Sequence, residues 1–114
     1  MLGLWSMLPQ FMMTKTIVVV DGDDIDIRNW DDVLWAISTR FDASRDLVQL
    51  ENTPIDYLDF ASPLPGLGGK IGLDATGKIG AETARPWGKV LKMSNEIVAQ
   101  VDDLWPRLGL DAVR

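Results

Sequence analysis

The chain has 114 residues, 46% of them hydrophobic, with 11 basic and 17 acidic side chains, a net charge of −6, and neither Cys nor His. That length suits one domain able to bury roughly two-thirds of its unfolded-chain surface, and the acidic balance lacks the cationic face that neutralising phosphates requires, which excludes nucleic acid as a partner. Without Cys or His, disulfides, thiol nucleophiles and the usual zinc and haem sites are ruled out, so any metal here would need oxygen ligands.

Met1 to Met13 carries no charged side chain and is rich in Met and Leu. It lacks a basic n-region and falls well short of the ~20 apolar residues that span a bilayer, so a buried helix is expected, with Pro9 kinking or ending it. An uncharged opening of this kind suits the interior of a longer parent chain. Thr16 to Val20 is a β-branched run bounded by Asp21-Gly22 and reads as a strand buried on both faces. Asp21, Asp23, Asp24 and Asp26 follow. They offer oxygen ligands for a hard cation but lack the glycine and terminal glutamate of an EF-hand loop, and a solvated acidic loop is the simpler reading.

Asn29 is placed to cap a helix over Asn29–Arg40, with Asp31 and Asp32 at the positive end of its dipole. Val33, Ala36, Ile37 and Arg40 or Phe41 share its inner face, and Trp30 and Trp35 are expected in the core or an interface. Asp42 to Asp46 turns the chain into a second strand, Leu47–Leu50, which runs into an Asn52-Thr53-Pro54 turn. The loop beyond it carries large side chains and acids, a costly pattern for a mere connector. Pro63 to Lys70 tempts a phosphate-cradle reading, but neither the P-loop nor the dinucleotide spacing is met; a flexible loop leading into a third strand, Lys70–Asp74, fits better. Thr76 to Trp87 is loose. Ser94 then caps a final helix, Ser94–Leu104, with Ile97, Val98, Val101, Leu104, Trp105 and Leu108 in one stripe and Pro106 beyond its end. The stripe is expected to cover the domain's own sheet, or else another subunit or a preceding domain. The sum is a single α/β domain with a mixed sheet of about three to five strands flanked by helices.

The succession Trp5-Ser6, Phe11-Met12-Met13-Thr14-Lys15, Asp23-Asp24-Ile25-Asp26, Asn29-Trp30-Asp31-Asp32-Val33, Trp35 to Arg40, Arg45-Asp46, the segment ENTPIDYLDFASP from Glu51 to Pro63, and GLGGKIGLDAT from Gly66 to Thr76 resembles the C-terminal domain of UbiD-type decarboxylases. The resemblance runs from about Gly3 to about Leu108, and the Glu51–Pro63 wording is most similar to the 4-hydroxy-3-polyprenylbenzoate decarboxylases of ubiquinone biosynthesis. It implies a non-oxidative decarboxylation on prenylated FMN, with manganese and potassium at the cofactor phosphate and the ring serving as electron sink.

The family's catalytic glutamate, arginine and second carboxylate lie in N-terminal and central parts of the full enzyme, so residues 1–114 inherit no catalytic, cofactor or metal position. The expectation is a fragment that alone binds no flavin and decarboxylates nothing. What carries over is a lid over a small aromatic acid, from Ile55, Tyr57 and Leu58, supported by Asp56, Asp59 and Phe60; the two acids fix the loop through backbone hydrogen bonds. The implied partners are the parent's own N-terminal flavin domain, further copies in dimers or hexamers, and a flavin prenyltransferase that supplies the cofactor. The implied location is cytoplasmic, with at most a peripheral place at the inner membrane. Two other classes remain beside this one: a stand-alone acidic interaction module, docking through the apolar N-terminal segment and last helix, and a divalent-metal domain built on Asp21–Asp26.

Overall fold

The strand that comes last along the chain holds the sheet together. In the computed structural model, which describes residues 1–109, β3 (Leu67–Asp74) lies between β1 (Thr16–Val19), to which it is parallel, and β2 (Leu47–Pro54), to which it is antiparallel. The mixed α/β sheet expected from the sequence is therefore present, with three strands. β1 is only half-buried rather than enclosed on both faces, because it stands at an edge.

β3 starts three residues earlier than the glycines suggest. Glycine weakens an isolated strand, but here the missing side chains make room on one face. A Cβ at Gly68 would lie 2.6 Å from Ile55 Cδ1, and one at Gly72 would lie 2.5 Å from Met1 Sδ and 3.3 Å from the Trp5 indole. β2 likewise continues through Asn52-Thr53-Pro54, which is a bulge and not a turn. Leu50 pairs with Lys70 and Thr53 with Gly68, so β2 spends one extra residue there, and Asn52 takes the left-handed conformation at φ 54°, which asparagine tolerates. The extra residue resets the alternation. Val48 and Leu50 before the bulge and Thr53 after it all stand opposite Gly72, Lys70 and Gly68, on one face of β3.

That face is covered by the N-terminal segment. α1 (Leu2–Met7) buries only Trp5, whose Nε1 donates to Thr14 O at 2.9 Å; Leu2, Leu4, Met7, Phe11, Met12 and Met13 are exposed. The expected buried helix is thus six residues long with one inward side chain. Pro9 opens a separate 3-10 turn, Pro9–Phe11, where its missing N–H is harmless. The opposite face carries α2 (Trp30–Arg40), capped by Asn29 Oδ1, which accepts from Asp31 N at 3.1 Å. Val33 and Ala36 pack with Ile25 and Ala75 against Val18, Val20 and Ile37. Trp30 and Trp35 are not core residues, at 69% and 40% exposure. Trp35 is well round the helix from the Val33–Ala36 stripe, and Trp30 sits at its margin in the first turn.

Beyond a 3-10 turn at Gly80–Glu82 the chain leaves the sheet. α3 (Asn95–Leu104) forms where expected, with Ser94 Oγ accepting from Ile97 N and Pro106 starting another 3-10 turn. The expectation that it covers the domain's own sheet fails. No α3 residue is buried, and Ile97, Val98, Val101 and Leu104 are each 42–46% exposed. The projection shows in the radius of gyration, 19.7 Å, against about 13 Å for a compact domain of this length.

A pinned apolar loop as candidate functional site

β2 ends at Pro54 and the chain returns to the sheet at Leu67, and the intervening loop is closed at its root. Ile55 N donates to Gly66 O at 3.2 Å, and Leu64 and Leu67 form an isolated bridge. Ile55 is 2% exposed and occupies the space that Gly68 leaves, so it plugs the root instead of presenting a lid surface. This corrects its assignment beside Tyr57 and Leu58. The apolar tip consists of Tyr57, Leu58 and Phe60, at 72%, 71% and 92% exposure. Phe60, expected in a supporting place, is the most exposed of them.

The two acids hold the tip's shape. Asp56 Oδ1 accepts from Leu58 N at 2.8 Å and Asp59 Oδ1 from Ala61 N at 3.1 Å, two successive Asx turns. Asp59 O accepts from both Ser62 N and Ser62 Oγ. The second carboxylate oxygen of Asp59 binds Lys15 Nζ at 2.7 Å, and this bond holds the Asp59 carboxyl below its ordinary range. Between the loop and the sheet lies an open cleft of about 410 Å³, lined in part by Lys15, Gln49, Glu51, Ile55, Ser62 and Lys70. Lys70 is buried, and its Nζ donates to the carbonyls of Met12 and Thr14. Burial pulls its ammonium below the ordinary lysine value, the direction desolvation dictates.

Two ion-pair networks stand apart from the loop, both near the C-terminal end of α2. Arg40 is buried on α2, bridges Asp21 at 2.5 Å and Asp24, and lies 5.1 Å from the Trp35 ring centroid. Its hydrogen bond holds the Asp24 carboxyl low. Asp21 also accepts from Gly77 N at 2.6 Å, and Asp26 accepts from Arg28 N. Asp21 and Asp24 are thus held by Arg40 and Asp26 by a backbone donor, which breaks up the set of free carboxylates that the divalent-metal reading of Asp21–Asp26 requires. Among the described residues no group of three or more Cys, Asp or Glu side chains stands where it could hold a metal ion. Just past the C-terminal end of α2, buried Asp46 accepts from Arg45 Nε and Nη2, from Asp42 N, and from Lys78 Nζ at 3.3 Å. Lys78, also buried, reaches Asp74 Oδ1 at 3.2 Å. Sequence reasoning missed this second network. Its one signal was a lysine just beyond an apolar strand, which burial alone makes informative.

These residues do not fit a flavin phosphate or its metal. The glycines from Gly68 to Gly72 are strand backbone paired with β2, leaving no open nest of N–H groups, and the buried cation of the cleft, Lys70, is already committed to the carbonyls of Met12 and Thr14.

The fold is that of a domain found in known decarboxylases. The vanillic acid decarboxylase of Sedimentibacter hydroxybenzoicus in open form superposes on 92% of the chain at 29% identity with a TM-score of 0.71, the match covering 22% of that polypeptide. Its closed form superposes on 82% with a TM-score of 0.66 and 20% of that polypeptide. A UbiD-class enzyme of Pelotomaculum thermopropionicum in complex with FMN matches 77% of the chain at 29% identity and TM-score 0.56, over 19% of its own length. The 3,4-dihydroxybenzoic acid decarboxylase of Enterobacter cloacae matches 79% at 26% identity and TM-score 0.54, again over 19%. The chain spans about a fifth of the length of these solved relatives. A sequence profile described as the 3-octaprenyl-4-hydroxybenzoate carboxy-lyase C-terminal domain matches residues 1–75. The chain belongs to the UbiD family, as its C-terminal domain.

Proposed function

We propose that this domain is the lid of a UbiD-type decarboxylase whose substrate is an aromatic acid, 4-hydroxy-3-polyprenylbenzoate, and that Tyr57, Leu58 and Phe60 close over it. The observation that carries the reading is an apolar tip left in water yet held in one shape by two Asx turns and a plugged root. A connector needs no such construction. Closing the tip over a carboxylated ring excludes water and supplies apolar contacts to the ring or its prenyl chain. Two similar solved enzymes act, by their descriptions, on vanillic and 3,4-dihydroxybenzoic acids, which supports an aromatic acid. The first is seen in open and closed forms, which supports a moving domain.

In this reading prenylated FMN, with manganese and potassium at its phosphate, is held by the parent's flavin domain and supplies the electron sink, and a flavin prenyltransferase provides it. The parent works in the cytoplasm, with at most peripheral contact at the inner membrane; no helix among the described residues is long and apolar enough to cross a membrane. The exposed stripe of α3 serves as a contact between copies, since large apolar patches left in water mark interfaces.

The test joins the chain to its upstream sequence, loads prenylated FMN and measures carbon dioxide release from 4-hydroxy-3-polyprenylbenzoate. Tyr57→Ala and Leu58→Ala are expected to lower kcat/KM by about 1–3 kcal/mol of transition-state stabilisation with little change in Tm. Unchanged kcat/KM beside a large drop in Tm would make these side chains structural and remove the lid. The 114-residue chain alone is expected neither to retain flavin nor to turn over.

A further inference from the structure

The hydrogen bonds that shape the Tyr57–Phe60 tip are internal to it. Asp56 binds Leu58, Asp59 binds Ala61, and Ser62 binds Asp59 and Leu64. They give the tip its form, but turns this small and exposed open readily to water, so both the tip's stance and the lifetime of its turns depend on what ties it to the sheet. At the root, Ile55 and the Leu64–Leu67 bridge tether the two ends of the loop, leaving the tip free to pivot about them. Among the described residues, one side-chain hydrogen bond joins the tip to the body, Lys15 Nζ to Asp59 Oδ2 at 2.7 Å.

The two partners differ in a way that matters. Lys15 is built into the sheet, its carbonyl accepting from Ile71 N at 3.0 Å, so its charge marks a fixed point at the start of β1. Its side chain is 49% exposed, while that of Asp59 is 17% exposed. Lys15 can therefore rehydrate and leave with little penalty, and Asp59 retains the Ala61 N–H when it does. The pair biases the tip's position and can still be released.

We propose that Lys15 and Asp59 form a releasable latch that sets the resting stance of the Tyr57–Phe60 tip. Both are thus positioning residues for closure; the consequence for catalysis rests on the lid reading above, whereas the latch itself does not.

The test is amide hydrogen exchange on the 114-residue chain carrying Lys15→Met, Asp59→Asn, both together, or Lys15→Arg. Asp59→Asn keeps an acceptor for Ala61 N, so the turn survives while the charge is lost. Each charge-removing variant is expected to speed exchange at Leu58, Phe60 and Ala61 by about 3- to 10-fold, the double variant no further, and Lys15→Arg to stay within about 2-fold of the parent chain. Amides of Gly72 and Leu73 keep their rates. Unchanged tip exchange in both single variants, effects that multiply in the double variant, or acceleration spread equally to Gly72 and Leu73 would each overturn the latch. The lid reading fails separately. Should Tyr57→Ala leave kcat/KM of the parent enzyme untouched while the tip amides still respond to Lys15→Met, the latch stands and the lid does not.

Discussion

α2 and α3 begin with the same device and end in opposite circumstances. Asn29 and Ser94 each accept a hydrogen bond from the first turn, and each helix has an acid there. α2 then lays Val33 and Ala36 into the core, whereas α3 keeps its stripe of Ile97, Val98, Val101 and Leu104 in water. A cap and a 3.6-residue period are enough to start and pace a helix, but packing needs a surface delivered by the rest of the chain. For α2 that surface is Val18, Val20 and Ala75. No corresponding face of the sheet reaches α3. Most helical stability in proteins comes from such packing, so the two helices should answer mutation very differently.

The largest effect is expected where the α2 side of the comparison is most committed. Asp46→Asn leaves Lys78 in the interior with one carboxylate where it had two, and is expected to cost about 3 kcal/mol or more, measured by urea denaturation. Acid should reproduce this loss. The hydrogen bond from Arg45, then those from Asp42 N and Lys78, hold the Asp46 carboxyl far below its ordinary value. A folded pKa lowered in this way gives stability present in full above the unfolded value of about 4 and lost as pH falls below it. Denaturation midpoints should hold down to about pH 4 and fall progressively from there toward pH 2, less steeply in Asp46→Asn. An identical slope in the variant would place the acid-sensitive group elsewhere.

Gly68→Ala comes next. Its Cβ would meet Ile55 Cδ1 at 2.6 Å and Ser62 Cβ at 3.2 Å, and overpacking of this kind costs about 1–3 kcal/mol. The root plug should be displaced, speeding exchange in the loop as well as lowering Tm. A matched pair then sharpens the comparison itself. Val33→Ala, in the core, is expected to cost about 1–3 kcal/mol, and Val98→Ala, on the exposed stripe, less than about 0.5 kcal/mol in dilute protein. Equal losses would mean that α3 packs as α2 does. Ending the chain after Thr83 should leave the body nearly as stable, with Tm shifted by no more than about 2 degrees, well under the scale of 1 kcal/mol, while abolishing any self-association seen by light scattering.

What could be read in the sequence was local. The caps Asn29 and Ser94, the stop before Pro106 and the β-branched run from Thr16 were legible because each depends on a few neighbouring residues. The ends of β2 and β3 were not. Asn52-Thr53-Pro54 spells a turn and Gly66 to Gly69 spells a loop, yet pairing overrides both: the bulge keeps Thr53 in register with Gly68, and the absent side chains admit Ile55. Ile55 illustrates the consequence for the site. Of the four large apolar residues in the loop, Ile55, Tyr57, Leu58 and Phe60, it is the register set by the bulge that turns Ile55 inward. The Asx turns at Asp56 and Asp59 follow from local turn chemistry, but the Lys15 partner of Asp59 is 44 residues away and left no local mark. Arg40, expected on the inner face of its helix, could not be seen to absorb two members of the acidic loop.

The strand order has a consequence for synthesis. β1 and β2 touch β3 and not each other, so while the chain is being made each waits as a lone apolar strand until residues as far along as Asp74 have emerged. The ladder that begins with Thr16 against Ile71 must close a long stretch of chain before its first hydrogen bond can form, the circumstance that slows folding most. During that interval the nascent polypeptide carries two unpaired strand edges and an uncovered Trp5, the exposure that draws chaperones and favours misassembly. Once β3 emerges, β2 meets its partner across a short loop, whereas β1 must still close the chain from Thr16 to Ile71.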